Sequence, residues 1–513
     1  MTSLSLNSVL PARVGALPSL AEKPIPYLIT AILLLSITYC AGGSRPKLPV
    51  LNPKTTTQEF MVRSKQLFEE GRKKFPNQPY MIKTYLGNAV VLPPRMLNEV
   101  KNLLELDFWP AVEKDHNGHL PGFEPFKANY EGPNMINRHL TKSLNKYTKP
   151  LYQEAKLAVS DVLTESPDWH EIRPSRDLAA LVARTSARLF LGEELCRNTD
   201  WVRASSAYTD TVFQAVQVLR QFPPVLRPIA NRLLPICKQT RAALKACRHV
   251  MRPVVAARQA RKLEPSAKGE PEPVYDDALE WCQKEYATDR DPADSQISLA
   301  MVAIHPTTDQ LTETMIQIAR HPELFELLRE EITTVLGTEG IQKTALYNLK
   351  LLDSVTKESQ RLKPVSISNF RRVAVSDVTL SNGLRLCKGD NVWIDVVHMW
   401  DSNVWEDAEK FDPYRFVKLR GTEKDYLAHL VSTSPEHMGF GHGRQACPGR
   451  FFAAHEMKIL LCHILLKYDW KISEGCDHPP MAYGLSLISN PRTTLMIRRR
   501  EEELDLDQLE IEA

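Results

Sequence analysis

The chain has 513 residues, 43% of them hydrophobic and 25% charged, the composition of a folded globular protein with ample length for a large core. A formal charge of +3 gives no reason to invoke nucleic acid as a partner. The last thirteen residues, Glu501 to Ala513, carry seven acids and no base, so the remaining 500 sum to +10, a mildly basic body that suits an acidic protein partner or an anionic membrane surface.

Nine cysteines, with no Cys-x-x-Cys among them, argue against a disulfide framework or a zinc site of that kind and favour a reduced, cytosol-facing chain. Gly-x-x-x-x-Gly-Lys-Ser/Thr, His-Glu-x-x-His and Gly-x-Ser-x-Gly are all absent. Nucleotide hydrolysis, zincin chemistry and the common serine hydrolases therefore lose their usual sequence support.

The first element in chain order is an uncharged run of 21 residues between Lys23 and Arg45. As a helix it spans roughly 30 Å, the thickness of a hydrocarbon core. Pro24 and Pro26 stand at its start, where a helix tolerates proline. Ala41-Gly42-Gly43 would also suit a signal peptidase. The 22-residue leader and the odd cysteine count favour an anchor, so residues 1–45 are read as leader plus single transmembrane span. Pro46, Pro49 and Pro53 then form a stiff spacer.

Residues 46–500 read as one large, mainly helical domain with a small sheet, followed by an acidic tail at 501–513. Ala179 to Gly192 has helical apolar spacing and a closing glycine. The apolar, proline-rich stretch 222–235 reads either as a membrane contact beside an access channel or as an ordinary buried loop. Residues 263–276, rich in Glu, Lys and Pro, are expected to be a surface loop. A helical stretch follows from about Gln296 to Leu336, interrupted at Pro306 and Pro322. Strands are expected at 371–380 and 391–397, with a turn at Ser381-Asn-Gly383, and an apolar helix from Pro448 to Lys467.

The most informative stretch is Phe440-Gly-His-Gly-Arg-Gln-Ala-Cys447-Pro-Gly449-Arg-Phe-Phe. Its glycines let the backbone turn sharply and approach a flat ligand. Cys447 falls at the mouth of a helix, where free amides and the helix dipole stabilise a thiolate. Such a thiolate is a good axial ligand for haem iron. Gly449 leaves room for a porphyrin face and Phe440 is placed to pack against it. A structural cysteine before a core helix is the blander reading. Gly441-x-Gly443-x-x-Ala446 mimics a dinucleotide fingerprint, but no apolar strand precedes it.

This loop resembles that of the cytochrome P-450 haem-thiolate monooxygenases, in particular fungal, membrane-anchored ones, whose pattern is Phe-Gly-x-Gly-x-Arg-x-Cys-x-Gly. One fixed position differs: the family arginine is Gln445 here, with Arg444 beside it as a substitute. The resemblance implies the family's mainly α fold, with haem b (iron protoporphyrin IX) on Cys447 between a long central helix and the cysteine helix. Glu358 and Arg361 match the family's Glu-x-x-Arg. This pattern also occurs at Glu69/Arg72, Glu194/Arg197 and Glu326/Arg329, where surface helix pairs are the simpler explanation. Order selects Glu358/Arg361, which precede Arg415 and Cys447. In the family such a trio forms a buried structural cluster, and guanidinium forks suit carboxylates. Arg372, with Asp377 five residues on, resembles the strand arginine that binds a haem propionate, and Arg371 is its rival. Arg138 resembles a second propionate ligand, although the tryptophan four residues before it in many members is Asn134 here.

Ala303-Ile-His-Pro306-Thr307-Thr308 resembles the family's Ala-Gly-x-acid-Thr, which delivers protons during oxygen activation. Thr307 aligns with the threonine and Pro306 replaces the acid. His305 reads either as a proton shuttle or as a packed helix histidine. Pro306 has no N–H for the Val302 carbonyl, so it either holds a water-filled groove beside Thr307 or merely bends the helix. The function implied is oxidation of an apolar small molecule, of terpenoid or indole-diterpenoid type. The implied partners are dioxygen, an NADPH-dependent cytochrome reductase and the endoplasmic-reticulum membrane, with the catalytic domain facing the cytosol. A haem-thiolate isomerase or dehydratase is the alternative, and Thr307 argues against it; a non-catalytic haem carrier would have no evident use for the anchor.

Overall fold

An aspartate and a proline begin the central helix, Pro292–Arg320. Asp291 accepts from the Ala293 N–H at 2.9 Å, and Pro292 occupies the first turn, where its missing N–H costs nothing. The helix starts four residues earlier than the apolar pattern suggested. Pro306 lies inside it without ending it, whereas Pro322 falls in the break before the helix Leu324–Glu339. Packing decides this difference: the central helix is held against the helices Pro174–Phe190, Pro235–Lys268, Lys350–Leu362 and Arg450–Lys467. The computed structural model describes residues 48–509 apart from Glu270, Glu272 and 287–289, so the expected leader and anchor lie outside it. Among the described residues no helix is long and apolar enough to cross a membrane.

The helix Arg450–Lys467 is buried around nearly its whole circumference, so its polar side chains must find partners. The His455 imidazole pairs with Thr148 Oγ1 at 3.0 Å, and Lys458 pairs with Asp353 at 2.5 Å. Glu456 accepts from the Ser186 hydroxyl at 2.7 Å, and burial pushes its carboxyl up to about 8. These contacts dock the helix on three others.

The second element of the fold is a six-stranded sheet. Its strands are β1 Val50–Leu51, β2 Tyr80–Thr84, β3 Gly87–Val91, β4 Leu106–Asp107, β5 Phe370–Ala374 and β6 Asn391–Ile394, in the order β1-β2-β3-β6-β5-β4. β5 runs antiparallel to both neighbours, with Arg372 opposite Val392 and Val373 opposite Asp107. Adjacent strand residues point to opposite faces, so Arg371 and Arg372 serve different surroundings. The expected strand at 371–380 is shorter than read. Within the separate Ser381–Arg385 unit the turn is present: Asn382 Oδ1 accepts from Leu384 N–H at 3.0 Å, and Gly383 has φ +80°.

Residues 263–276 are not all loop, because the helix Pro235–Lys268 runs through Pro265. Arg258, Arg261 and Lys262 pin its last turns to Asp277, Glu194 and Glu280 at 2.6–2.9 Å. The acidic tail also docks as far as it is described, with Leu506 buried and its carbonyl accepting from Tyr152 at 2.6 Å.

Glu456 gives the first test. Its folded value of about 8 exceeds the ordinary 4.5, so the folded chain holds an extra proton between them. Its stabilising contribution is complete below the unfolded value and is lost as pH rises toward 8. Glu456→Gln is expected to flatten this loss, gaining on the order of a few kcal/mol at pH 8 relative to pH 5, read from urea midpoints.

Candidate active site

The cysteine loop is shaped by two left-handed glycines, Gly441 (φ +69°) and Gly443 (φ +84°). A Cβ on Gly443 would come within 2.7 Å of Lys101 Cβ, and one on Gly439 would overlap the Gln360 amide. The loop is closed by the Cys447 N–H donating to the Phe440 carbonyl at 2.9 Å. It is tied outward by Arg444 N–H to Asn102 Oδ1 at 2.9 Å and by Asn369 Nδ2 to the Met438 carbonyl at 2.8 Å. Phe440 packs on Leu430, Ala454 and Met457, joining the loop to the cysteine helix.

That helix begins at Arg450 with Gly449 as its cap, two residues later than expected. The Gly449 and Arg450 N–H groups still face the Cys447 sulfur. Burial pushes the thiol up, and those amides and the Arg450 charge only partly oppose it. The helix terminus alone therefore does not produce a free thiolate; coordination to a metal would, because a coordinating thiol is deprotonated.

The residues from Phe440 to Arg450 are accessible to varying degrees although they lie deep within the fold. The same holds in the middle of the central helix, where Val302 is 68% exposed and His305 and Pro306 are exposed. Accessible side chains on a helix packed by four others mark the wall of an internal space. His305 meets Phe213 edge-on at 5.5 Å, Phe213 meets Phe126 at 6.4 Å, and Phe126 stacks on His116 at 4.4 Å. Although water reaches the ring, the protein enclosing it desolvates the imidazolium and lowers the His305 pKa, with Asp210 opposing, so the ring is neutral near pH 7. Thr307 is buried beside it, and the Thr308 hydroxyl is a buried orphan.

The two strand arginines separate cleanly. Arg371 is paired with Asp115 at 2.9 Å, and Asp115 also takes Arg220. Arg372 is 3% exposed and donates to the Arg371 carbonyl at 2.8 Å, with its guanidinium against the Phe370 and Phe108 rings. No carboxylate among the described residues lies within ion-pair distance of it, and burial lowers its pKa to about 9. A buried guanidinium with unspent donors fits an anion such as a haem carboxylate.

Two of the expected residues have exposed side chains. Arg138 has a side chain 63% exposed and pairs with Glu285 at 2.6 Å, where His139 also bonds the same carboxylate, so it is not brought to Arg372. Arg444 is exposed and, among the described residues, is held only through its backbone N–H, while the following residue turns inward. That residue is Gln445, whose Nε2 donates to Asp107 Oδ1 at 3.0 Å. Asp107 was not singled out from sequence; no local motif marks it.

Glu358 and Arg361 are fully buried and joined by two bonds of 2.8 Å, and Arg415 Nε reaches the same carboxylate at 3.0 Å. Arg361 also donates to the Met399 and Ala408 carbonyls at 2.6 and 2.7 Å, and Arg415 to that of Glu406 at 2.6 Å. The trio therefore gathers the backbone of residues 399–415.

A glycine-shaped cysteine loop, an unpaired buried guanidinium and a central helix bordering an internal space define a haem-thiolate protein. The cytochrome P450 family model matches residues 130–497, and the chain belongs to that family. It is 47% identical over 475 residues to the cytochrome P450 monooxygenase eqxH of Fusarium heterosporum, covering 90% of this chain and 92% of that one. It is 40% identical to hepE of Aspergillus oryzae (93% and 90% covered) and 38% to pyr3 of Aspergillus fumigatus (88% of each), both also cytochrome P450 monooxygenases. The fold is shared with retinoic acid-bound cyanobacterial CYP120A1 at a TM-score of 0.67 and 18% identity, covering 89% of this chain and all of that one. The chain is accordingly a haem-dependent monooxygenase with Cys447 as the axial ligand.

Removing one member of a buried ion cluster strands the others. Glu358→Ala is expected to cost about 3–5 kcal/mol in urea unfolding and to lower haem content, whereas Glu326→Ala should change neither, since Glu326 is exposed and Arg329 bonds instead to Asp469 and the Leu465 and Tyr468 carbonyls.

Proposed function

We propose that this monooxygenase oxidises an apolar small molecule, a specialised metabolite of terpenoid or indole-diterpenoid type, with electrons from an NADPH-dependent cytochrome reductase at the endoplasmic-reticulum membrane. The observation that carries the substrate reading is the accessible apolar and aromatic surface at the middle of the central helix, where Val302 is exposed and His305 meets the partly exposed Phe213 ring. Membrane association is supported by residues 225–233, where Val225, Leu226, Ile229 and Leu233 are exposed on consecutive short helices. This favours the membrane-contact reading of that stretch over the buried-loop one.

Bound haem supplies dioxygen activation. In this reading Cys447 holds the iron, Arg372 holds a haem carboxylate, and the internal wall excludes water from the substrate. Thr307 holds a proton donor at its hydroxyl. Pro306 leaves the Val302 carbonyl without its helical donor, on the accessible side of the helix, where a water beside Thr307 takes over the role of the missing acid.

Reduced protein under carbon monoxide is expected to show the red-shifted Soret band of thiolate ligation, lost in Cys447→Ser; an unchanged band in that variant would overturn the assignment. For the proton relay, Pro306→Ala is expected to restore the helical bond and divert more NADPH to hydrogen peroxide at intact haem content. Coupling as tight as wild type would leave Pro306 a packing role only. Metabolite profiling of cells supplied with terpenoid precursors tests the substrate class.

A further inference from the structure

Among the described residues, the buried Asp107 carboxylate is hydrogen-bonded only by neutral donors. Its Oδ1 accepts from Trp109 N–H at 3.2 Å and Gln445 Nε2 at 3.0 Å, and its Oδ2 accepts from the Tyr130 hydroxyl at 2.8 Å. The nearby Arg372 guanidinium does not close on it, being held between the Phe108 and Phe370 rings and on the Arg371 carbonyl. A carboxylate accepts and cannot donate, so it dictates which end of the Gln445 amide faces it. Nε2 must turn to Asp107, and the second hydrogen of that nitrogen then has no protein acceptor among the described residues. Two sets of unspent donors, on Gln445 and Arg372, thus flank one acid.

We propose that Asp107 is a positioning residue for haem: it orients the Gln445 amide so that its remaining N–H, together with Arg372, binds one haem carboxylate in place of the arginine expected at position 445. The inference rests on haem being bound at Cys447 with a carboxylate at Arg372. The alternative is that Asp107 only caps the turn before Trp109, through the 3.2 Å bond.

The test uses the full chain loaded with haem and follows haem transfer to excess apomyoglobin. Gln445→Leu is expected to speed haem loss roughly tenfold, the effect of losing a hydrogen bond to a charged group. Asp107→Asn should speed it by a smaller factor, and the double variant should be no faster than Gln445→Leu alone, because one residue acts through the other. The midpoint potential of Asp107→Asn is expected to move positive, since a negative charge beside ferric haem is removed. Additive rates, or an unmoved potential, would reduce Asp107 to a turn cap and overturn the proposal. Tyr130→Phe, which removes one donor from Asp107 and leaves Gln445 intact, should speed haem loss in the same direction even if Asp107→Asn folds poorly. The thiolate–carbon monoxide band should persist in all these variants; its survival in Cys447→Ser would instead refute the haem assignment itself.

Discussion

A carboxylate taken wholly out of water needs several strong donors at once, and Glu358 obtains them from two guanidinium groups. Arg361 and Arg415 have five N–H groups each, more than one carboxylate can accept, so the surplus goes to backbone carbonyls at Met399, Glu406 and Ala408. An irregular stretch of some fifteen residues is thereby given the fixed partners that a helix or sheet would otherwise supply. Its far end leads into the cysteine loop, and Gln360, on the same helix as Glu358, lies against Gly439 in that loop. The position of the sulfur thus depends on ion pairing that never touches it.

The haem side of the molecule is organised by a division of labour between adjacent residues. Arg371 turns to Asp115 and joins the sheet to Arg220 at the end of the helix Thr199–Arg220, while Arg372, on the opposite face, keeps its charge available. Gln445 turns inward and Arg444 outward in the same way. At both pairs a one-residue change of register would exchange a structural role for a ligand-facing one.

Much of this was legible in the sequence because it is written in local pattern. The cysteine loop declares itself through glycines and a following apolar helix, and Glu358, Arg361 and Arg415 through their order along the chain. The helix limits were less legible: Pro306 was read as an interruption, yet packing on four neighbours carries the helix through it. The loop expected from 263 likewise begins as helix because ion pairs to distant residues hold it. Strands β2 and β3 were missed although Tyr80–Thr84 alternates between buried and less buried positions. Asp107 could not be found from sequence, since its meaning comes from Gln445, more than three hundred residues away. Arg138 shows the converse: a plausible position in the sequence, turned to solvent by Glu285 and the exposed face of its helix.

Arg372 carries a consequence for the folding balance of the chain. A guanidinium enclosed by two aromatic rings, with Asp107 nearby but not in ion-pair contact, is poorly hydrated and only partly compensated. The chain without haem must carry this cost in its folded state, whereas the unfolded chain does not. A ligand that binds only the folded form and neutralises that charge shifts the folding balance by mass action. Neutralising that buried charge is thus a route by which an anion bound at Arg372 would raise the stability of the folded chain.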